Sequence, residues 1–160
     1  MSNLKHWIWL TLRKGLAGQN AMRVLERFGT PELVHAADEE AYRMVGGLPD
    51  ATIRSLMNKS LDQADVVLGD CERYGIQLLT LQDAAYPERL KAIAQPPLVL
   101  YWKGRQFAFD NEAAIGMVGS RQATPYGVQA AMKLSADLTR KGWWSPAWHR
   151  VSTPPLFVER

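Results

Sequence analysis

The chain has 160 residues, of which 47% are hydrophobic and 22% charged, and its formal net charge is +3. This composition is typical of a globular protein and excludes a disordered, collagen-like or disulfide-built chain. A single cysteine, Cys71, excludes an internal disulfide and leaves too few thiols for a structural zinc site. No apolar run reaches the ~18 residues that span a bilayer. Because no secretory signal is evident either, the sequence predicts a cytoplasmic protein.

The charge is distributed unevenly along the chain. Residues 1–30 carry a net charge of +4, residues 31–72 carry −6, and residues 73–142 carry +4. A basic excess on two separate segments is compatible with a polyanionic partner. Charges of this size are common on protein surfaces, however, so charge alone decides little about function.

The first 75 residues are predicted to be helical throughout. Gly29 and Gly75 each follow an amphipathic pattern and are typical of helix ends. Thr30 and Asp38 stand where helix N-caps are expected. The pattern predicts a small bundle of helix-turn-helix pairs. Some such bundles contact the DNA backbone and many contact proteins, so pattern alone favours an interaction or packing module.

The pattern changes to short apolar runs at residue 76. Three runs, at 76–80, 98–102 and 113–119, are typical of strands buried on both faces in a parallel sheet. Thr124 is predicted to cap the start of a helix, and Gly142 is predicted to end it. The buried stripe of this helix is predicted to contain Val128, Ala131, Met132, Ser135 and Leu138. The fold class is therefore α/β, with the strand, turn and helix that open a right-handed βαβ unit.

The turn between the third strand and this helix holds the residues with the clearest potential for binding. Gly119 allows a ligand close to the backbone, Ser120 offers a hydroxyl, and Arg121 offers a planar fork for phosphate oxygens. A helix N-terminus at Thr124 adds free amides that attract anions. Together these residues predict a phosphate cradle. In the alternative reading, the glycine only makes the turn, the arginine is solvated and the threonine only caps.

No cofactor, metal or catalytic set is predicted. The turn lacks the Walker spacing and the three-glycine dinucleotide fingerprint, so bound ATP or NAD is not supported. His6, His35 and His149 lack metal-ligand spacing, and no Ser/His/Asp or Cys/His set stands in a plausible arrangement. Cys71 lies in a helical pattern and is interpreted as a small buried hydrophobe.

Three segments resemble the DprA/Smf DNA-processing family. They read Tyr-Pro-Glu-Arg-Leu at 86–90, Pro-Pro-Leu-Val-Leu-Tyr-Trp-Lys-Gly at 96–104, and Ile-Gly-Met-Val-Gly-Ser-Arg-Gln-Ala-Thr-Pro-Tyr-Gly at 115–127. The resemblance implies a helical SAM-like domain at 1–75 and the first part of a Rossmann-like domain, with a parallel sheet, at 76–142.

The same resemblance implies a function without catalysis. It implies binding of single-stranded DNA, protection of incoming DNA during natural transformation, loading of the RecA recombinase, and a homodimer in full-length relatives. By this resemblance, Gly119, Ser120 and Arg121 would form the DNA-phosphate pocket. Its rim would be formed by Thr124, Tyr126 and Gly127. Such binding is directed mainly at the backbone, sensitive to salt and tolerant of base sequence.

Residues 143–160 depart from the family pattern. A hydrophobic strand is expected after Gly142, but the segment contains three tryptophans and three prolines, and Pro146, Pro154 and Pro155 disfavour a central strand or a long helix. Back-translation one nucleotide earlier allows a strand followed by a family-like Ser/Thr-Gly-Leu/Met-Ala motif. The segment is therefore interpreted as out-of-frame translation of a truncated gene, which we expect to impair the function.

Two other functions remain open at this point. The same anion-binding turn is compatible with an enzyme of Rossmann-like fold that handles a nucleoside phosphate. The chain is also compatible with a protein-interaction fragment that binds no small ligand.

Overall fold

The structure is a computed structural model that describes residues 2–104, 110, 120 and 122–140. The chain forms two compact units, Met1–Leu100 and Tyr101–Arg160. The domain boundaries at residues 75 and 142 stay predictions. The described elements are α1 (Ser2–Thr11), α2 (Gln19–Phe28), α3 (Pro31–Ala36), α4 (Glu39–Arg43), α5 (Asp50–Leu56), α6 (Asp62–Tyr74), β1 (Gln77–Thr80), α7 (Glu88–Lys91), β2 (Val99–Trp102) and α8 (Pro125–Arg140).

Helix α1 forms the centre of the first unit. Four consecutive residues, Trp7 to Leu10, are at most 1% exposed, so the helix is surrounded on every side. Helices α3 and α6 pack against it. The Trp9 indole donates to the Asn58 carbonyl over 2.9 Å, which ties α1 to the connection between α5 and α6.

The predicted helix boundaries in this unit are confirmed by hydrogen bonds at the caps. The Thr30 hydroxyl accepts from the Leu33 amide at 3.3 Å, and the Asp38 carboxylate accepts from the Ala41 amide at 2.9 Å. Gly75 has a φ of +64° in the left-handed region and ends α6, as the glycine signal predicted.

The α/β class is confirmed, but the two described strands run antiparallel rather than parallel. The Leu81 amide, just after β1, donates to the Leu98 carbonyl, just before β2, over 3.0 Å. The connection leaves β1 and enters β2 at the same end of the strand pair, which makes the strands antiparallel. Parallel strands need a connection that crosses to the opposite end of the sheet. The third predicted strand, at 113–119, lies outside the described residues.

The connection between the strands is held by side chains. Tyr86 is 1% exposed, and its hydroxyl donates to the Pro97 carbonyl over 2.7 Å. The Asp83 carboxylate accepts from the Thr80 amide at 2.6 Å. The strands are less buried than predicted, since Gln77 is exposed and only Val99 of β2 is buried.

Helix α8 forms where it was predicted, but the prediction of a buried stripe is wrong. Val128 is 47% exposed and Met132 is 66% exposed, and Ala131 is exposed as well. Ser135 and Leu138 are half-buried. Apolar spacing determines which residues share a helix face, but burial also requires a layer against that face.

None of the helices within the described ranges combines the length and the apolar character that crossing a membrane requires.

Candidate nucleic-acid interface

The candidate site includes the first turn of α8. The Thr124 hydroxyl accepts from the Gly127 amide at 3.1 Å, and the Thr124 carbonyl accepts from the Val128 amide at 3.0 Å. Thr124 is therefore the N-cap, as predicted, and Pro125 occupies the first helical position, where a proline costs no hydrogen bond.

The turn before this helix is described in part. The Ser120 hydroxyl accepts from the Gln122 amide at 3.1 Å. Gly119 and Arg121, the other two residues of the predicted pocket, lie outside the described residues. Their place in the pocket stays a prediction.

The described site residues are accessible to a ligand. Ser120 and Thr124 are exposed, Gly127 is half-buried, and Tyr126 is 80% exposed. An aromatic ring that stands this far in solvent at the start of a helix offers a face for base stacking. Four of the six predicted residues, Ser120, Thr124, Tyr126 and Gly127, are thus described, and their role in binding stays a prediction.

The charge of α8 favours an anion at its start. The first turn contains no acidic residue, and the only carboxylate in the helix, Asp137, lies in the last turn, where it pairs with Arg140 at 3.2 Å. The positive end of the helix dipole is therefore not opposed by a nearby carboxylate of the same helix. The segment can position a phosphate by amides, hydroxyls and the helix dipole.

Other chemistry finds little support in the described residues. No group of three or more His, Cys, Asp or Glu within them is arranged to hold a metal ion. Cys71 is buried, as predicted, and burial, followed by the charge of Asp70, raises the pKa of its thiol. A raised pKa keeps the sulfur protonated, so Cys71 is a poor nucleophile.

Sequence reasoning missed one role of the quoted motifs. Tyr86 and Pro97 belong to two segments that resemble the DprA/Smf family, and the hydrogen bond between them holds the connection from β1 to β2. These motif residues therefore stabilise the fold. Neither position carries a charged group or a strong nucleophile, and this could have indicated a structural role from the sequence.

Comparison with known proteins identifies related sequences. A family model described as DNA recombination-mediator protein A matches residues 77–145. A Bacillus subtilis (strain 168) protein described as DNA processing protein DprA is 38% identical over 77 residues, which cover 48% of this chain and 26% of that protein. A Synechocystis sp. (strain ATCC 27184 / PCC 6803 / Kazusa) protein described as Protein Smf is 27% identical over 146 residues, which cover 89% of this chain and 37% of that protein.

These matches bear on the two parts of the chain differently. The family model and the match at 38% identity support the part from residue 77 onward, and the longer match reaches into the helices as well. The chain spans between about a quarter and about two fifths of the length of these two relatives.

Proposed function

Because the chain belongs to the DprA/Smf family, we propose that it is a DNA-processing protein that binds single-stranded DNA without catalysis. The bound group is a backbone phosphate, held by Gly119, Ser120 and Arg121. Thr124, Tyr126 and Gly127 form the rim of the pocket. The protein acts in the cytoplasm in natural transformation and recombination, where it loads RecA.

The observation that supports this proposal best is the accessible start of α8. Thr124 caps the helix, Tyr126 is 80% exposed beside it, and the first turn carries no carboxylate. A phosphate gains from amide donors and the helix dipole, while a base gains from the tyrosine ring. A guanidinium at Arg121 would add a bidentate contact to phosphate oxygens.

The proposal also explains why strong preference for a base sequence is not expected. Hydroxyls, amides and a guanidinium directed at phosphate contact groups that every nucleotide carries. Stacking on tyrosine tolerates any base because every base has a π-face. Binding should therefore depend on salt far more than on base composition.

The test uses fluorescence anisotropy with a labelled single-stranded oligonucleotide at about 50 mM and about 200 mM salt. Arg121→Ala should raise Kd about tenfold at the lower salt and make log Kd less steep in log salt by about 0.7. The matched control is Arg140→Ala, which removes an equal charge from a residue already paired with Asp137. Equal affinities for the two variants would contradict the proposal.

A competition experiment separates this function from the nucleoside-phosphate alternative. An excess of mononucleotide should leave most of the oligonucleotide bound, because one phosphate replaces only a fraction of the contacts along a strand. Full displacement by a mononucleotide would instead favour a pocket for a single nucleoside phosphate.

A further inference from the structure

The first 30 residues contain five basic side chains, which differ in exposure and in whether they have a polar partner. Arg13 is 7% exposed and donates its hydrogen bonds to backbone carbonyls, while Lys5 pairs with Asp65 at 2.5 Å. The other three, Lys14, Arg23 and Arg27, are exposed and form no ion pair within the described residues. Three of the five basic side chains of this segment are therefore solvated and outside the ion pairs of the described residues.

A fourth exposed cation, Arg54, is next in sequence to a residue that contacts the turn containing Lys14. The Lys14 amide donates to the Ser55 hydroxyl on α5 over 2.9 Å, so the turn between α1 and α2 lies against α5. Arg54, the neighbour of Ser55, is exposed and also lacks an ion pair within the described residues. We call Lys14, Arg23, Arg27 and Arg54 the cationic surface.

Helix α2 joins this region through a second contact. A methyl group placed on Gly47, in the turn between α4 and α5, would lie 2.8 Å from Nη1 of Arg23. The Arg23 guanidinium thus rests on the turn that leads into α5. Arg27 follows four residues later and shares the helix face of Arg23, with a rise of about 6 Å between them.

No ion pair among the described residues involves a member of the cationic surface, and Asp50, one turn before Arg54, pairs with Arg43 at 3.3 Å. Glu26 is the acidic residue on α2, and it forms no ion pair with Arg23 or Arg27. Two other exposed arginines of the same unit are paired, Arg43 with Glu39 at 2.7 Å and Arg73 with Asp70 at 3.5 Å. The four cations of this surface differ in this respect from Arg43 and Arg73.

We propose that the cationic surface binds the phosphodiester backbone of a nucleic acid, at a site separate from the start of α8. Arginine forks and a lysine ammonium contact phosphate oxygens and release condensed counterions. Two guanidiniums one helical turn apart can contact neighbouring phosphates of one strand. The inference goes beyond the proposed function because it assigns a contact to the helical part of the chain.

The test compares two double variants that remove equal charge. In Arg23→Gln/Arg27→Gln, two unpaired guanidiniums are lost. In the control, Arg43→Gln/Arg73→Gln, two guanidiniums already offset by acids are lost. All four positions are exposed, so both variants should keep the wild-type thermal unfolding transition. The readout is the dependence of log Kd on log salt for a labelled single-stranded oligonucleotide.

The first variant should raise Kd by at least about tenfold at about 50 mM salt and reduce the salt slope by about 1.4, whereas the control should change the slope little. Equal changes in the two variants would overturn the proposal. So would a loss of binding to an acidic polypeptide, poly-glutamate, with unchanged binding to the oligonucleotide. To separate the two sites, Arg121→Ala is combined with each double variant. If the start of α8 does not bind DNA, Arg121→Ala changes nothing, and the effect of Arg23→Gln/Arg27→Gln on binding persists.

Discussion

The ammonium of Lys59 donates to the hydroxyl of Tyr42 over 2.5 Å. It also donates to the Ala37 carbonyl over 2.8 Å, and the Tyr42 hydroxyl in turn donates to the carbonyl of Val34. The Nζ atom lies 4.7 Å from the centre of the Tyr42 ring. One cation therefore joins the α5–α6 connection to α3 and α4, without a carboxylate in direct contact.

This arrangement predicts an unusual pH dependence of stability. Burial, opposed by the charge of Asp38 and reinforced by that of Arg13, lowers the pKa of Lys59 from 10.5 to about 8. Between these values the unfolded chain binds more protons than the folded chain, so the contribution of Lys59 to the free energy of unfolding rises with pH. Burial raises the pKa of Tyr42 from 10.0 to about 12, so its own contribution falls above pH 10.

Urea unfolding at a series of pH values checks this expectation. Lys59→Met removes the titrating group, and the difference between wild type and variant should shift in favour of the wild type between about pH 8 and pH 10. Two stability profiles that stay parallel over this interval would show that the ammonium is not disfavoured by burial.

A second prediction concerns the turn between α1 and α2. A methyl group on Gly15 would lie 2.3 Å from Oγ1 of Thr52, which is 1% exposed, whereas one on Gly46 would meet open space. Both glycines have positive φ, +74° and +73°. Both alanine variants therefore cost about 1–2 kcal/mol of backbone strain, and Gly15→Ala costs about 1–3 kcal/mol more from overpacking.

Chemical denaturation of the two glycine variants gives the comparison. The excess cost of Gly15→Ala should shrink in a Thr52→Ala background, because the clashing hydroxyl is then absent. If Gly15→Ala and Gly46→Ala lose the same stability in the wild-type background, the contact between the turn and α5 is looser than described.

A third prediction concerns the cap of α8. Thr124→Ala removes the acceptor of the Gly127 amide and should weaken the helix start by about 1 kcal/mol, whereas Thr124→Ser keeps the acceptor. Hydrogen exchange at the Gly127 amide should accelerate about fivefold in the alanine variant, and the serine variant should stay near wild type. Indistinguishable exchange in the two variants would refute the cap.

The caps were predictable from sequence because they depend on neighbouring residues. Thr30, Asp38 and Thr124 each accept from an amide three residues later, and this geometry needs no information from elsewhere in the chain. The same locality explains why α8 was placed correctly. It also explains why four of the six predicted site residues could be located on one described segment.

Properties that depend on distant partners were not predictable. Strand direction depends on how the connection folds, and the hydrogen bond from Tyr86 to Pro97 within that connection joins residues that are far apart in sequence. The exposure of Val128 and Met132 depends on which layer covers α8, which helical periodicity does not reveal. Net charge likewise gave no sign that Arg13 is buried while Arg23 is solvated.

The most direct test of the central claim replaces the charge of the ligand and leaves the protein unchanged. Binding to a phosphodiester oligothymidylate is compared with binding to the same sequence in which neutral methylphosphonates replace the phosphates. Contact with backbone phosphate predicts tight, salt-dependent binding to the first oligonucleotide and loss of most affinity for the second. Equal affinity for the charged and neutral strands would contradict the account.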